Sequence, residues 1–243
     1  MLFVLGKLLA DPRIGDVRYA AYTLATILIE TSHTIKVTAR TKHRRNRPRT
    51  HVLKQWRNFV PIRESLGRKD VRNYKDAVKI FRLPNGNARV TERDGDQWEV
   101  NAAGTPKAIT RDPQRGTIPN RPVSPAYTSD QGDEQVYWGR GYVQLTWWAN
   151  YAKAGADLGR GLSLLYQPDL VLDRDIAYEI MIRGLMTGRI FANGRTFAKY
   201  FTNSTTDYVH ARSMVNPGAS LSDKQAFAVI CERFEAALSA SRK

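Results

Sequence analysis

The reading of this chain turns on the stretch Tyr137-Trp138-Gly139-Arg140-Gly141-Tyr142-Val143-Gln144-Leu145-Thr146-Trp147-Trp148-Ala149-Asn150-Tyr151. Two glycines around an arginine let the backbone pass close to another segment. Gln144, Thr146 and Asn150 then set amide and hydroxyl groups among aromatic faces. Such a set suits a cleft in which amides read hydroxyl and N-acetyl groups and aromatics stack on pyranose rings. It equally suits an aromatic turn with no role beyond structure, and the residues alone leave both open.

Downstream of this stretch, amphipathic periods at Ala149 to Leu158, Asp175 to Thr187, Phe197 to Phe201 and Ser222 to Leu238 predict a helical second half. Upstream, Asp16 stands as an N-cap before Val17 to Glu30, where alanines and long aliphatics recur at helical spacing. The segment from about 36 to 59 is an inserted basic run, with Lys36, Arg40, Lys42, Arg44, Arg45, Arg47, Arg49, Lys54 and Arg57 and no acidic residue. Mutual repulsion predicts a solvated loop or arm there. From about 84 to 130 the chain is polar and dotted with glycine and proline, which reads as an irregular insertion. A hairpin is expected within it, where Arg89-Val90-Thr91 and Gln97 to Val100 flank Asp94-Gly95.

The chain has 243 residues, long enough to bury a core, and a formal net charge of +15. That charge points to a polyanionic partner, whether nucleic acid, anionic lipid or cell wall. The single cysteine, Cys231, excludes an intrachain disulfide and reads as a buried structural thiol. Met1 to Ala10 is apolar but broken by Lys7 and ended by Asp11-Pro12, short for a signal peptide and too short to span a bilayer. Synthesis in the cytoplasm without a signal peptide is therefore expected. His33, His43, His51 and His210 show neither helical pair spacing nor companion cysteines, so no metal and no cofactor is expected.

Two carboxylates stand out. Glu30 ends an almost wholly apolar helix, where desolvation favours the protonated form that a general acid needs. A helix-terminal glutamate that simply reaches solvent fits the same pattern. Glu64 follows Pro61-Ile62-Arg63, a turn that places it beside a cation, and as a surface glutamate it would look the same. One neutral and one ionised carboxyl are the pair that glycosidic hydrolysis uses.

The run from Tyr137 to Tyr151 closely resembles the signature of glycoside hydrolase family 19, which holds plant-type chitinases and phage endolysins. The resemblance continues in Gln167-Pro168-Asp169-Leu170-Val171-Leu172, in Ala211-Arg212-Ser213-Met214-Val215-Asn216, and upstream in Ala21 to Thr26 with Glu30-Thr31-Ser32. It implies a mainly α, lysozyme-like, two-lobed helical fold with a substrate cleft and room for a small β-hairpin insertion. It implies one catalytic domain over 1–243. It makes Glu30 the proton donor, and Glu64 the base that activates water on the opposite face of the sugar, as Pro61-Ile62-Arg63-Glu64 is similar to a motif of the phage-type branch. By the same resemblance Thr146 helps hold that water, Gln144, Tyr142, Asn150 and Asn216 bind substrate, and Arg212 supports the cleft floor. Ile29 departs from the histidine many relatives carry before the acid, and Glu92, Glu99 and Glu134 are further candidates for the second carboxylate.

The resulting expectation is a monomeric inverting hydrolase of β-1,4 linkages in peptidoglycan, acting as an endolysin after holin-type release or as an effector delivered by a secretion system. The basic 36–57 segment would engage anionic cell-envelope surfaces, and no obligate nucleic acid is expected. Alternatives are a chitinase of the same chemistry, a member that binds glycan without cutting it, and a nucleic-acid-binding protein gripping phosphates through Arg44 to Arg49.

Overall fold

The computed structural model describes residues 1–39, 49–57, 59–63, 78–92, 95–110 and 133–241. The chain begins with α1 (Leu2–Ala10) and α2 (Val17–Glu30). The Asp16 side chain caps α2 by accepting from the Arg18 backbone N–H at 2.8 Å. From Ala20 to Leu28 every residue of α2 is buried, because the helix runs through the protein rather than over it. It packs most extensively on the C-terminal helix α8 (Leu221–Ala240), and Tyr22 is the hub of that contact. The Tyr22 ring meets Phe197, Phe201 and Phe227 edge-on, and its hydroxyl donates to the Ala211 carbonyl at 3.0 Å. Cys231 on α8 is fully buried in the same core.

The remaining helices are α3 (Trp148–Asp157), α4 (Ser163–Tyr166), α5 (Arg174–Thr187), α6 (Phe197–Tyr200) and α7 (Tyr208–Ala211). Of these, α3, α5 and α6 fall close to the amphipathic periods seen in the sequence, whereas the single-turn helices α4 and α7 match none. Asp173 caps α5 by accepting from Asp175 and Ile176, and Gly188 ends it in the left-handed conformation.

The mainly α, two-lobed helical expectation does not hold. Beside the helices stands a five-stranded antiparallel sheet built from β4 (Val78–Arg82), β5 (Ala88–Thr91), β6 (Gln97–Val100), β7 (Pro106–Thr110) and β8 (Asp133–Gln135), in the order β7-β6-β5-β4-β8. The expected hairpin is there, with Thr91 opposite Gln97, but as the middle of this sheet rather than as a small insertion. Within the region read as irregular, β5, β6 and β7 are thus regular strand. The sheet's strands are only a few residues long, and alternation of buried side chains is clear on β4, at Val78 and Ile80. So few apolar positions among many turn residues leave little periodicity to read. The sheet joins the helical half through the Trp98 and Trp148 rings, 5.9 Å apart, and through Arg82, whose guanidinium lies 3.8 Å over the Tyr166 ring.

The basic segment also differs from expectation. β1 (Ser32–Ala39) and β2 (Arg49–Arg57) form an antiparallel ribbon of their own. The register explains why repulsion does not prevent pairing: Lys36 stands opposite Val52, Lys54 opposite Ile35, Arg49 opposite Ala39 and Arg57 opposite Ser32. No lysine or arginine in the registered pairs faces another, and like charges set directly opposite are what destabilise a ladder. A second small sheet joins β3 (Ile62–Arg63) to β9 (Arg140–Gly141).

Candidate active site

Glu30 is the last residue of α2, and its carboxylate is paired with a cation. Its Oε1 accepts from Arg212 Nη2 at 2.5 Å, in a pair whose glutamate side chain is 18% exposed and whose arginine side chain is 6% exposed. Among the described residues Oε2 accepts no hydrogen bond. Arg212 opens the short 3-10 turn that follows α7, and its guanidinium lies 5.0 Å over the Phe227 ring. Its Nη1 is buried without a hydrogen-bond partner among the described residues. The chain therefore spends burial of a cation on one contact, which orients the carboxylate. Asn216 belongs to the same turn, since its N–H donates to the Arg212 carbonyl at 2.9 Å, and its side chain lies at the surface. Glu30 and Arg212, distant in sequence, are thus brought into contact.

The signature stretch forms β9, a tight turn and the start of α3. Arg140 and Leu145 exchange two backbone hydrogen bonds, at 3.2 and 2.9 Å, and close the turn. A Cβ on Gly139 would come 2.8 Å from Gln144 Oε1, and one on Gly141, at φ +80°, about as near to Val171. Neither position accepts a larger residue without displacement. Arg140 itself is 4% exposed and is a clamp rather than a substrate group. Its Nε donates to Asp169 Oδ1 at 2.6 Å and its Nη1 to the Val136 carbonyl at 2.9 Å. The Pro168-Asp169 motif and the glycine-arginine-glycine turn are two sides of that one contact.

Gln144, at φ +51°, donates its amide to the Gly141 carbonyl at 3.0 Å and to the Ile62 carbonyl at 3.2 Å. Together with the β3–β9 pairing, this sets Pro61-Ile62-Arg63 against the signature. Glu64, the next residue, lies outside the described residues. Asn150 donates its side-chain amide to the Thr146 carbonyl at 2.9 Å, and both residues are half-buried. Tyr142 is placed otherwise than a substrate-binding residue would be. It is fully buried, its hydroxyl has no hydrogen-bond partner among the described residues, and burial pushes the phenol up to about 12.

Of the other carboxylates, Glu92 lies just past β5 and accepts from the Trp148 indole at 2.8 Å, so it touches the signature from the sheet side. Glu99 accepts from Asn87 and Asn85, and these amides hold its carboxyl below the usual range. Glu134 stands in β8 opposite Lys79. Sequence reasoning did not find the Arg140–Asp169 clamp or the Glu92–Trp148 bond. The only advance signal of the first was a cation between two glycines, and the second depends on how the β5 strand packs against α3, which the sequence does not give.

No family model matches the chain, and no solved structure matches it. A 65-residue stretch is 46% identical to the protein "Inactive chitinase-like protein 1" of Hevea brasiliensis, covering 26% of this chain. The stretch spans 19% of that relative's length. The chain therefore carries a chitinase-like segment.

Proposed function

We propose that the protein is a glycoside hydrolase that cleaves β-1,4 linkages in a polymer of N-acetylated amino sugars, with bacterial peptidoglycan as its substrate. The observation that carries this reading is the Glu30–Arg212 pair, a carboxylate with one oxygen fixed at 2.5 Å on a buried guanidinium and its side chain partly open to solvent. The chitinase-like segment supports it.

In this mechanism Glu30 protonates the leaving oxygen and Glu64 activates a water that attacks the anomeric carbon from the other face, with inversion. Inverting enzymes set their two carboxyls roughly 6.5 to 9.5 Å apart to leave room for that water. Thr146 lies at the signature turn to help hold it, and Gln144, Asn150 and Asn216 contact substrate. Arg212 keeps the Glu30 carboxylate in one orientation, so that it need not be ordered when substrate arrives.

A second reading is a protein that binds glycan without cutting it. The printed name of the relative, which calls that protein inactive, and Ile29 in place of a histidine favour it. The deciding experiment follows the fall in turbidity of outer-membrane-permeabilised Gram-negative cells, beside release from glycol chitin, for wild type, Glu30→Gln and Glu64→Gln. Clearing of cells by wild type and a loss of about 100-fold or more in both variants is the expected result. Release from chitin alone would change the substrate, and silence on both would leave the binder.

A further inference from the structure

A pocket of about 310 Å³ opens between the sheet and the far end of α3. It is lined by Ala102 and Ala103 of the β6–β7 turn, by Lys153, Ala156 and Asp157 of α3, and by Arg189 just past α5. Its volume falls at the lower end of the range of small-ligand sites. The apolar wall is held in place by its own turn. The Gly104 N–H donates to the Asn101 carbonyl at 2.9 Å, and the Asn101 side chain accepts from the Thr105 N–H at 2.9 Å. A Cβ on Gly104, at φ +70°, would fall 2.5 Å from the Ala152 carbonyl oxygen, so the turn rests directly on α3 in an approach that glycine alone allows.

The remaining walls carry two cations against one carboxylate. Asp157 is engaged from α5 by Arg183, which donates to its carbonyl at 2.7 Å and stands 3.8 Å from its carboxylate. Arg189 reaches the same carboxylate only at 4.0 Å, with a side chain 75% exposed. Lys153 is exposed and makes no ion pair among the described residues. The pocket therefore offers positive charge to an incoming anion. Its place along α3 is equally specific. Lys153 follows Asn150 by three residues, so the two share one face of the helix about 4.5 Å apart along its axis, and Asp157 lies about 6 Å further on.

We infer that this pocket receives a carboxylate of the short peptides that peptidoglycan carries on its sugars, with Lys153 and Arg189 as its partners, and that it selects this polymer over chitin. This rests on the glycan reading given above. Four extended residues span at most about 14 Å, enough to bring a peptide carboxylate from a sugar held at Asn150 into the pocket. An ammonium and a guanidinium make charge-assisted hydrogen bonds to such a group, and a neutral chitin chain has nothing to place there.

The test measures binding by calorimetry to Glu30→Gln, and to Glu30→Gln carrying Lys153→Glu, Lys153→Arg or Arg189→Gln. The two probes are soluble peptidoglycan strands with intact peptides and N-acetylglucosamine hexamer. Both positions are exposed, so thermal unfolding should move little. Lys153→Glu is expected to weaken strand binding about tenfold or more and Arg189→Gln about fivefold, with Lys153→Arg close to the parent and hexamer affinity within about twofold throughout. Unchanged strand affinity in Lys153→Glu, an equal fall on both probes, or a parent that binds hexamer and not strands overturns the assignment while leaving the glycan reading in place. Absence of binding of either probe by Glu30→Gln itself overturns both.

Discussion

Removing the Arg212 guanidinium would strip Glu30 of its only hydrogen-bond donor among the described residues and leave a hole over Phe227. Deleting one partner of a buried ion pair costs about 3 to 5 kcal/mol, because the other charge is left uncompensated. The 18% exposure of Glu30 lets water relieve part of that, so Arg212→Ala is expected to lose about 2 to 3 kcal/mol in urea unfolding. Glu30→Gln keeps an amide oxygen that accepts from Nη2 but leaves the more deeply buried Arg212 charge uncompensated, so it should lose about 2 to 3 kcal/mol as well. A hydrolysis defect in Glu30→Gln that exceeds its stability defect separates a chemical role from a structural one. The position of Glu30 was legible in the sequence, since a carboxylate ending an apolar helix is conspicuous. Its partner was not, because Arg212 lies 182 residues away and only the packing of α7 and α8 on α2 brings the two together.

Among the elements, the β1–β2 ribbon is the one whose role is most open to experiment. It leaves the chain two residues after Glu30 and returns shortly before β3, which pairs with the signature strand β9. We propose that it holds the enzyme to anionic cell-envelope polymer near the bonds it cuts. Replacing 41–55 with a short glycine-serine turn should then reduce clearing of whole cells by about tenfold while leaving hydrolysis of soluble neutral fragments within about twofold. Equal losses on both substrates would refute it. The basic composition of this element was plain in the sequence, whereas its ribbon form was not. Charge composition counts cations without saying what stands opposite them, and it is the register, lysine against valine and lysine against isoleucine, that makes pairing tolerable. The five-stranded sheet was missed for a related reason. Its strands pair mostly with near neighbours, but each is too short to carry a period of its own, and only their pairing with one another makes them strands.

At the scale of the whole molecule, α1 is tied to α5 by an ionic cluster. Arg13 donates to Asp11 Oδ2 at 2.6 Å and to Glu179 Oε1 at 2.8 Å, and the Tyr178 hydroxyl donates to Asp11 at 3.0 Å. The hydrogen bonds from Arg13 hold both carboxyls below their usual range. A carboxyl whose pKa is lowered by folding adds stability that is in place above its ordinary value near pH 4 and is lost as pH falls through the lowered one. The protein should therefore lose thermal stability steeply below about pH 4, and Asp11→Asn should flatten that slope while lowering the plateau at neutral pH. Superposable melting curves of the two proteins against pH would refute this. From the sequence by itself came the helices α2, α3, α5, α6 and α8, the buried thiol at Cys231, the basic field of +15 and the motifs around Glu30 and Arg140, all of which depend on composition or on spacing within one segment. Only the tertiary structure decided the mixed helix-and-sheet architecture, the burial of Tyr142 and the pairing of Glu30 with Arg212. Each of these depends on which distant surface covers a residue, and burial is a property of the packed chain rather than of any stretch of it.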